Sequence, residues 1–164
     1  MDQTNNFPAP GTILWGIDVA LDRDVFRKGK ASAPNTDFLR YSDIGIDESP
    51  DGQTRISAEN AQKYFIDEDD GISLFLTKAP GARFRVLSEA DRKTAPKEGQ
   101  EKRHWWAIEQ GHPLPTGLVL KYDGNPPGHC TLTVTRSMSV AAFLELVKLV
   151  PFVPAGVDVI APAL

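Results

Sequence analysis

Two segments far apart in the sequence carry side chains that could transfer a proton together. Ser73 lies in the run 71–75, and Phe75 falls on the same face of a strand, so the pair could offer an aromatic platform and a hydroxyl to a flat ligand. Asp123 and His129 flank a Gly/Pro-rich loop between two predicted strands, within hydrogen-bonding reach of each other. A carboxylate at that distance fixes the tautomer of imidazole. An ordinary half-buried serine and a loop-closing Asp–His pair explain the same spacing equally well.

Other common catalytic motifs are missing from the sequence. It has no Gly-Lys-Ser/Thr phosphate loop, no Gly-x-Gly-x-x-Gly fingerprint and no Gly-x-Ser-x-Gly elbow. His104, His112 and His129 lack the spacing of zinc ligands, and Cys130 is the only cysteine. The acidic run 67–71 does not fit the register of a calcium loop. We therefore expect no metal site.

The composition indicates one folded domain, and its negative net charge argues against binding to the phosphates of nucleic acid. The chain has 164 residues, 41% hydrophobic and 24% charged, with a net charge of −4. Its start lacks the basic and apolar regions of a cleaved signal peptide. Prolines interrupt the apolar stretch 140–164, so we expect no membrane segment. We expect a flexible segment over 1–11 and a single domain over 12–164.

Short apolar runs bounded by Gly, Pro or Asp predict an α+β fold. Strands are predicted at 12–17, 71–76, 105–109, 117–122, 130–134 and 157–160. Helices are predicted at 57–65, 87–93 and 139–150, each beginning at or next to a serine that can cap it. The last helix has an apolar stripe and ends at Pro151, so we expect it to pack on the sheet.

The order of short motifs over residues 12–150 resembles a family of small cytotoxic effectors. The motifs are Ile13-Leu14-Trp15-Gly16, Gly71-Ile72-Ser73-Leu74-Phe75, Trp106, Pro115-x-Gly117-Leu118 with Asp123, His129-x-Thr131-Leu132, and Met138 before a Phe143-Leu144 helix. In this they are similar to bacterial type VI secretion effectors with an ADP-ribosyltransferase-like fold, which have homologues in fungi.

The resemblance implies two packed, mainly antiparallel sheets with a few short helices around an NAD cleft. It also implies a toxin that is cytoplasmic in its producer, enters target cells without a cleaved signal peptide, and acts on an intracellular target. A cognate immunity protein would neutralise it in the producer. We therefore expect a mono-ADP-ribosyltransferase that uses NAD.

The family's functional positions carry over one by one. Its small polar pair falls on Ile72 and Ser73, and its His-Tyr-Thr-Ile segment falls on residues 129–132, which keep His129 and Thr131. Its preceding acid is Asp123. Together with Phe75, the platform proposed above, the implied cofactor-binding residues are Trp15, Gly16, Ile72, Phe75 and Thr131.

One departure from the family pattern concerns an arginine. The family usually begins Leu-Tyr-Arg-Gly, whereas this chain has Trp15 or Gly16 where the arginine would stand. Anchoring of the NAD phosphates or ribose would then fall to Arg23, Arg27 or Arg40.

Cleavage of the bond between nicotinamide and ribose calls for a carboxylate. Its transition state resembles an oxocarbenium ion, so a negative charge near the anomeric carbon stabilises it. Glu109, at the end of the Trp105-Trp106 strand, and Asp123 are the two candidates, and the sequence does not choose between them. We take Ser73, His129, Asp123 and Glu109 as the candidate catalytic residues.

Two other functions fit parts of the sequence. A metal-independent ribonuclease-like toxin could use His129 with His104 or His112 as a general acid and base. The acidic balance of the chain argues against it. A non-catalytic interaction domain is favoured by the missing arginine.

Overall fold

A wide antiparallel sheet forms the body of the protein. The computed structural model describes residues 7–78, 84–94 and 98–162. The strands are β1 (Ile13–Trp15), β2 (Val25–Gly29), β3 (Phe65–Ile66), β4 (Ile72–Phe75), β5 (Phe84–Val86), β6 (Glu101–Ile108), β7 (Leu118–Tyr122), β8 (His129–Val134), β9 (Met138–Ser139) and β10 (Val153–Pro162). The helices are α1 (Glu89–Thr94) and α2 (Val140–Val147), with 3-10 turns at Tyr41–Ile44 and Asn60–Gln62.

The strand order is β1-β7-β8-β4-β2-β6-β10-β5, with β3 and β9 as a separate two-stranded ribbon. All of the pairings between described strands are antiparallel. The predicted α+β class with mainly antiparallel strands and few helices is confirmed. The strands do not divide into two sheets of similar size, because eight of the described strands belong to one sheet.

The central strands place their apolar side chains on one face. Leu74, Leu120 and Leu132 of β4, β7 and β8 lie on this face, and all three are fully buried. Because residues opposite each other in antiparallel strands share a face, Ser73 and Thr131 lie together on the other face. The period-two pattern of these strands therefore separates the core from the surface that carries polar side chains.

Helix α2 packs in the same apolar core as the buried face of the sheet. Ser139 caps it by accepting a hydrogen bond from the amide of Ala142 at 3.1 Å. Val140, Phe143 and Val147, three and four residues apart, are buried in the same apolar cluster as Leu74. The predicted helix is confirmed, although it is shorter than the predicted range 139–150.

The helix predicted at 57–65 is wrong for most of its length. Ser57 does accept a hydrogen bond from the amide of Asn60, but only a 3-10 turn follows. Phe65 and Ile66 instead form β3 and pair with Ser139 and Met138 of β9. The aromatic and β-branched residues at this end favour a strand once β9 offers a partner.

Strand β2 was not predicted, because its sequence Val-Phe-Arg-Lys-Gly carries adjacent charges rather than a clear alternation. It nevertheless lies in the middle of the sheet, between β4 and β6. Strand β5 also has no counterpart among the predicted strands.

The first residues of the predicted flexible segment, 1–6, lie outside the described residues. Residues 7–11 contact the domain. The ring of Phe7 lies 6.0 Å from that of Tyr122, and the amide of Gly11 donates to the carbonyl of Tyr122 at 2.7 Å. In the described part of the chain, no helix combines the length and apolar character that crossing a bilayer requires.

Candidate functional site

Three neighbouring strands bring the predicted polar residues together. Ser73 of β4 lies opposite Thr131 of β8, and Phe75 lies opposite His129. Asp123 directly follows β7, the other neighbour of β8, and its amide donates to the carbonyl of His129 at 3.2 Å. The side chains occupy the face of the sheet that does not carry the Leu74 core.

A chain of hydrogen bonds links Ser73, His129 and Asp123. Nε2 of His129 lies 2.8 Å from Oγ of Ser73, and Nδ1 lies 2.6 Å from Oδ1 of Asp123. The ring of Phe75 packs edge-on against the imidazole, with 5.3 Å between ring centres. The His129 side chain is only 17% exposed, and its two hydrogen bonds, to Ser73 and Asp123, restrict the orientation of the ring.

Two further groups hold the Asp123 carboxylate in place. Thr131 donates its hydroxyl to Oδ2 at 2.7 Å, and the amide of Asn125 donates to Oδ1 at 3.2 Å. Partial burial raises the pKa of Asp123, but the hydrogen bonds from Thr131, His129 and Asn125 outweigh it, so its pKa lies below the ordinary value. Asp123 is therefore a carboxylate at neutral pH.

The ionised carboxylate fixes the tautomer of His129. A carboxylate only accepts hydrogen bonds, so Nδ1 of His129 carries the proton that it shares with Asp123. In neutral imidazole Nε2 is then an acceptor, and the hydroxyl of Ser73 donates to it. His129 is thus arranged to take a proton from Ser73, or to hold a ligand hydroxyl that replaces it.

Gly71 allows β4 to approach β8 closely enough for this contact. A Cβ atom at this position would collide with the carbonyl oxygen of Leu132. Since Ile72 pairs directly with Leu132, any larger residue would push the start of β4 away from β8. The glycine two positions before Ser73 therefore helps to set the distance between Ser73 and His129.

A cleft of about 300 Å³ opens beside Ser73, and we call it the arginine cleft. It is lined by Arg27, Lys28, Gly29, Asn35, Phe38, Arg40, Asp43, Ile72 and Ser73. Three of these side chains are basic and one is acidic, so the cleft favours an anionic ligand. Lys28 also donates to Glu101 at 2.6 Å, so part of its charge is balanced. Arg27 and Arg40 are therefore the main cations of the arginine cleft.

Arg27 connects the arginine cleft to Ser73. Its guanidinium donates to the carbonyls of Pro34, Asn35 and Ser73 at 2.7–2.8 Å. Burial lowers the pKa of Arg27 to about 10, with Asp43 opposing and Arg40 adding to that effect. The side chain remains a cation at neutral pH. A guanidinium has five N–H donors, so Arg27 keeps two beyond these three bonds to described residues.

Trp15 and Gly16 lie at a different place from Ser73. They line a second cavity of about 790 Å³ between the end of β1 and the loop 111–117. Trp15 is 1% exposed and donates its indole N–H to the carbonyl of His112 at 2.9 Å. The structure therefore does not bring these two predicted cofactor-binding residues to the Ser73–His129 pair.

The remaining predicted residues divide between the site and other places. Ile72 lines the arginine cleft although only 3% of it is exposed. Glu109 follows β6, which lies two strand positions from β4, and Ile108 before it pairs with Val25. His104 lies on β6 opposite Gly29. Of the two candidate carboxylates, only Asp123 contacts His129.

Cys130 lies between two residues of the site but faces the core. Its side chain is fully buried, and burial raises the pKa of the thiol to about 12. The thiol is therefore protonated and unreactive in the folded protein. Among the described residues, no three His, Cys, Asp or Glu side chains come together in a way that could hold a metal ion.

Sequence reasoning found Arg27 only as one of three possible arginines, and it missed Phe38 and Asn35. A loop joins these residues to β2, and the strand itself has no clear pattern in the sequence. Comparisons with protein families, curated proteins and solved structures found no match for this chain.

Proposed function

We propose that this protein is a cytotoxic effector that uses NAD, a mono-ADP-ribosyltransferase acting on an intracellular target. The observation that carries the proposal is the 2.8 Å contact between Oγ of Ser73 and Nε2 of His129. The family resemblance picks these residues from separate motifs, and the contact joins His129 to a serine that lines the arginine cleft. Ser73 is exposed and His129 is half-buried, on the face of the sheet opposite the Leu74 core.

The arginine cleft fits the anionic part of NAD. Arginine binds phosphate oxygens through its N–H donors, and Arg27 lines the cleft with two donors beyond its three bonds to described carbonyls. Arg40 lines the same cleft with an exposed side chain. We assign to these two residues the role of the family's arginine, whose place is taken here by Trp15 or Gly16. A volume of about 300 Å³ is at the lower end for ligand sites, so it suits one part of a dinucleotide.

NAD supplies an ADP-ribosyl group when its bond to nicotinamide breaks. In this proposal Ser73 and His129 orient the ligand by hydrogen bonds to its hydroxyl groups. Asp123 holds the imidazole of His129, and Thr131 holds the carboxylate of Asp123. Asp123 is the carboxylate nearest these groups, whereas Glu109 lies beyond β6. Phe75 offers a ring beside His129 for stacking.

As an effector of this kind, the protein would be held inactive in its producer by a cognate immunity protein. A partner that covers the arginine cleft would prevent NAD from entering. The same role implies transfer into the cytoplasm of a target cell, where NAD and the protein substrate are found.

The proposal is tested by inducing the chain in bacteria and measuring growth together with the cellular NAD content. Growth arrest with loss of NAD is expected for the wild type, and both effects should disappear in Ser73→Ala and His129→Ala. Ser57→Ala is the control, because its hydroxyl accepts from the amide of Asn60 and belongs neither to the lining of the arginine cleft nor to the Ser73–His129 contact. Growth arrest that persists in both site variants at equal expression would contradict the proposal.

A further inference from the structure

We propose that Ser73 is an activated nucleophile and that the protein cleaves small esters that carry an anionic group. This activity goes beyond the use of NAD and does not depend on it. It follows from the order of the hydrogen-bonded groups, from the cation beside Ser73, and from the size and charge of the arginine cleft.

The first argument is the order of donors and acceptors. A serine hydroxyl becomes a nucleophile when a histidine accepts its proton and an acid fixes the histidine's tautomer. Here Oγ of Ser73 lies 2.8 Å from Nε2 of His129, and Nδ1 lies 2.6 Å from Asp123. Both distances are within the range that proton transfer requires. Binding a ligand hydroxyl would need the histidine but not a fixed serine–histidine–aspartate chain.

The second argument is the rigidity of the acid. Asp123 accepts hydrogen bonds from the Thr131 hydroxyl and the Asn125 amide in addition to that of His129. An orienting acid held on both oxygens keeps the imidazole in one tautomer throughout a reaction. A loop-closing Asp–His pair would not need Thr131, which lies on the strand opposite Ser73.

The third argument concerns the negative charge that develops on a carbonyl oxygen during attack. Nη1 of Arg27 lies 2.8 Å from the carbonyl oxygen of Ser73, so a guanidinium is fixed at the residue that attacks. Arg27 and Ser73 line the same cleft, so the positive charge of the guanidinium favours a negative charge that develops beside Ser73. Ser73 is exposed, so water can also reach the site.

The substrate class follows from the arginine cleft. Arg27 and Arg40 favour a negative charge on the substrate, and a volume of about 300 Å³ admits a small molecule rather than a long acyl chain. Phe38 and Ile72 provide an apolar wall for the acyl group. A short ester with a carboxylate or phosphate at one end fits these properties.

The reaction balances without an oxidant or reductant. Oγ of Ser73 bonds to the ester carbonyl carbon while its proton moves to Nε2 of His129. The bond from carbon to the alcohol oxygen then breaks, and the leaving oxygen takes the proton from Nε2. Water attacks the resulting acyl-serine and gives its proton to Nε2, which returns it to Oγ as the acid leaves. The sum is ester plus water giving acid plus alcohol.

The first test treats the purified full-length chain with a fluorophosphonate probe, without NAD, and maps the labelled peptide. Oγ of Ser73 should displace fluoride and become phosphonylated, and Ser73→Ala should abolish the label. His129→Ala should slow labelling by about 100-fold or more, the usual contribution of a general base. Asp123→Asn should slow it too, since the tautomer is no longer fixed. Ser57→Ala should label at the wild-type rate.

The second test compares hydrolysis of phenyl acetate with that of 3-acetoxybenzoate, whose carboxylate cannot reach its own ester carbonyl, and subtracts the rate given by Ser73→Ala. We expect the anionic ester to react about tenfold faster, because the cations of the cleft attract it, and Arg40→Gln to remove most of this preference. If the probe does not label the wild type, or labels His129→Ala at the same rate, Ser73 is not an activated nucleophile. Equal rates for the two esters overturn the assigned substrate class. Loss of NAD in cells is measured separately, so either activity can fail without the other.

Discussion

Oγ of Ser73 and Nε2 of His129 lie 2.8 Å apart although 56 residues separate them in the chain. The contact exists because β4 and β8 are neighbours with Phe75 opposite His129. Ser73 precedes Phe75 by two residues, on the same face of β4, so the serine and histidine are diagonal neighbours. A shift of one residue in this register would turn Ser73 into the core and separate the two groups.

Gly71 should be essential to that register. Gly71→Ala is expected to lower the free energy of unfolding by about 2 kcal/mol or more, because its Cβ collides with the carbonyl of Leu132. Urea denaturation measures the change. Gly16→Ala serves as the control, since a Cβ there makes ordinary contacts with Ile13 and Val119. Equal stability of Gly71→Ala and wild type would show that β4 does not approach β8 as described.

Asp123 should stabilise the fold in a pH-dependent way. Its pKa in the folded protein is lowered below the ordinary 3.8, so its contribution is complete above that value and is lost as pH falls through the folded pKa. We expect Asp123→Asn to be less stable at pH 7 by about 1 kcal/mol, a small effect because the side chain is 41% exposed. Denaturation at pH 7 and at pH 2 should show the difference narrowing at low pH. A difference that widens would contradict the hydrogen bonds at Asp123.

Cys130 should report on unfolding. Because burial raises the pKa of its thiol to about 12, the native protein should react very slowly with a thiol reagent at pH 8, and the chain in 8 M urea should react at once. Absorbance of the released thiolate from Ellman's reagent follows both reactions. Rapid labelling of the native protein would mean that β8 does not hold Cys130 in the core.

Helix α2 should contribute to stability through Phe143. Phe143→Ala removes a fully buried ring and is expected to cost about 3–5 kcal/mol. Leu149→Ala, just beyond the helix and 68% exposed, should change the free energy of unfolding by less than about 0.5 kcal/mol. Chemical denaturation of both variants gives the comparison. A similar loss of unfolding free energy in both variants would mean that Phe143 is not part of the core.

The elements with a clear apolar pattern were predictable from the sequence. The strands carrying Leu74, Leu120 and Leu132 are short apolar runs bounded by Gly, Pro or Asp, and the helix carrying Phe143 has a capping serine and an apolar stripe. Those local signals match the tertiary structure. The pairing of Asp123 with His129 was also predictable, because a short loop joins the two strand ends.

Long-range contacts explain what was not predictable. Phe65 and Ile66 form a strand only because β9 lies beside them, and a local pattern does not record that partner. Arg27 lies in a strand with adjacent charges. Its place in the cleft depends on the tertiary fold, which brings the carbonyls of Pro34 and Asn35 to its guanidinium. Trp15 was expected near Ser73, but its side chain packs in the core with its indole bonded to His112.

The most direct test of the account is the release of nicotinamide from NAD by the purified chain, followed by chromatography. We predict steady release by the wild type and a rate at least 100-fold lower in His129→Ala, whose melting temperature should fall by only a few degrees. Ser57→Ala should match the wild type. An intact NAD pool after prolonged incubation of the folded wild-type protein with a cell lysate would contradict the proposed function.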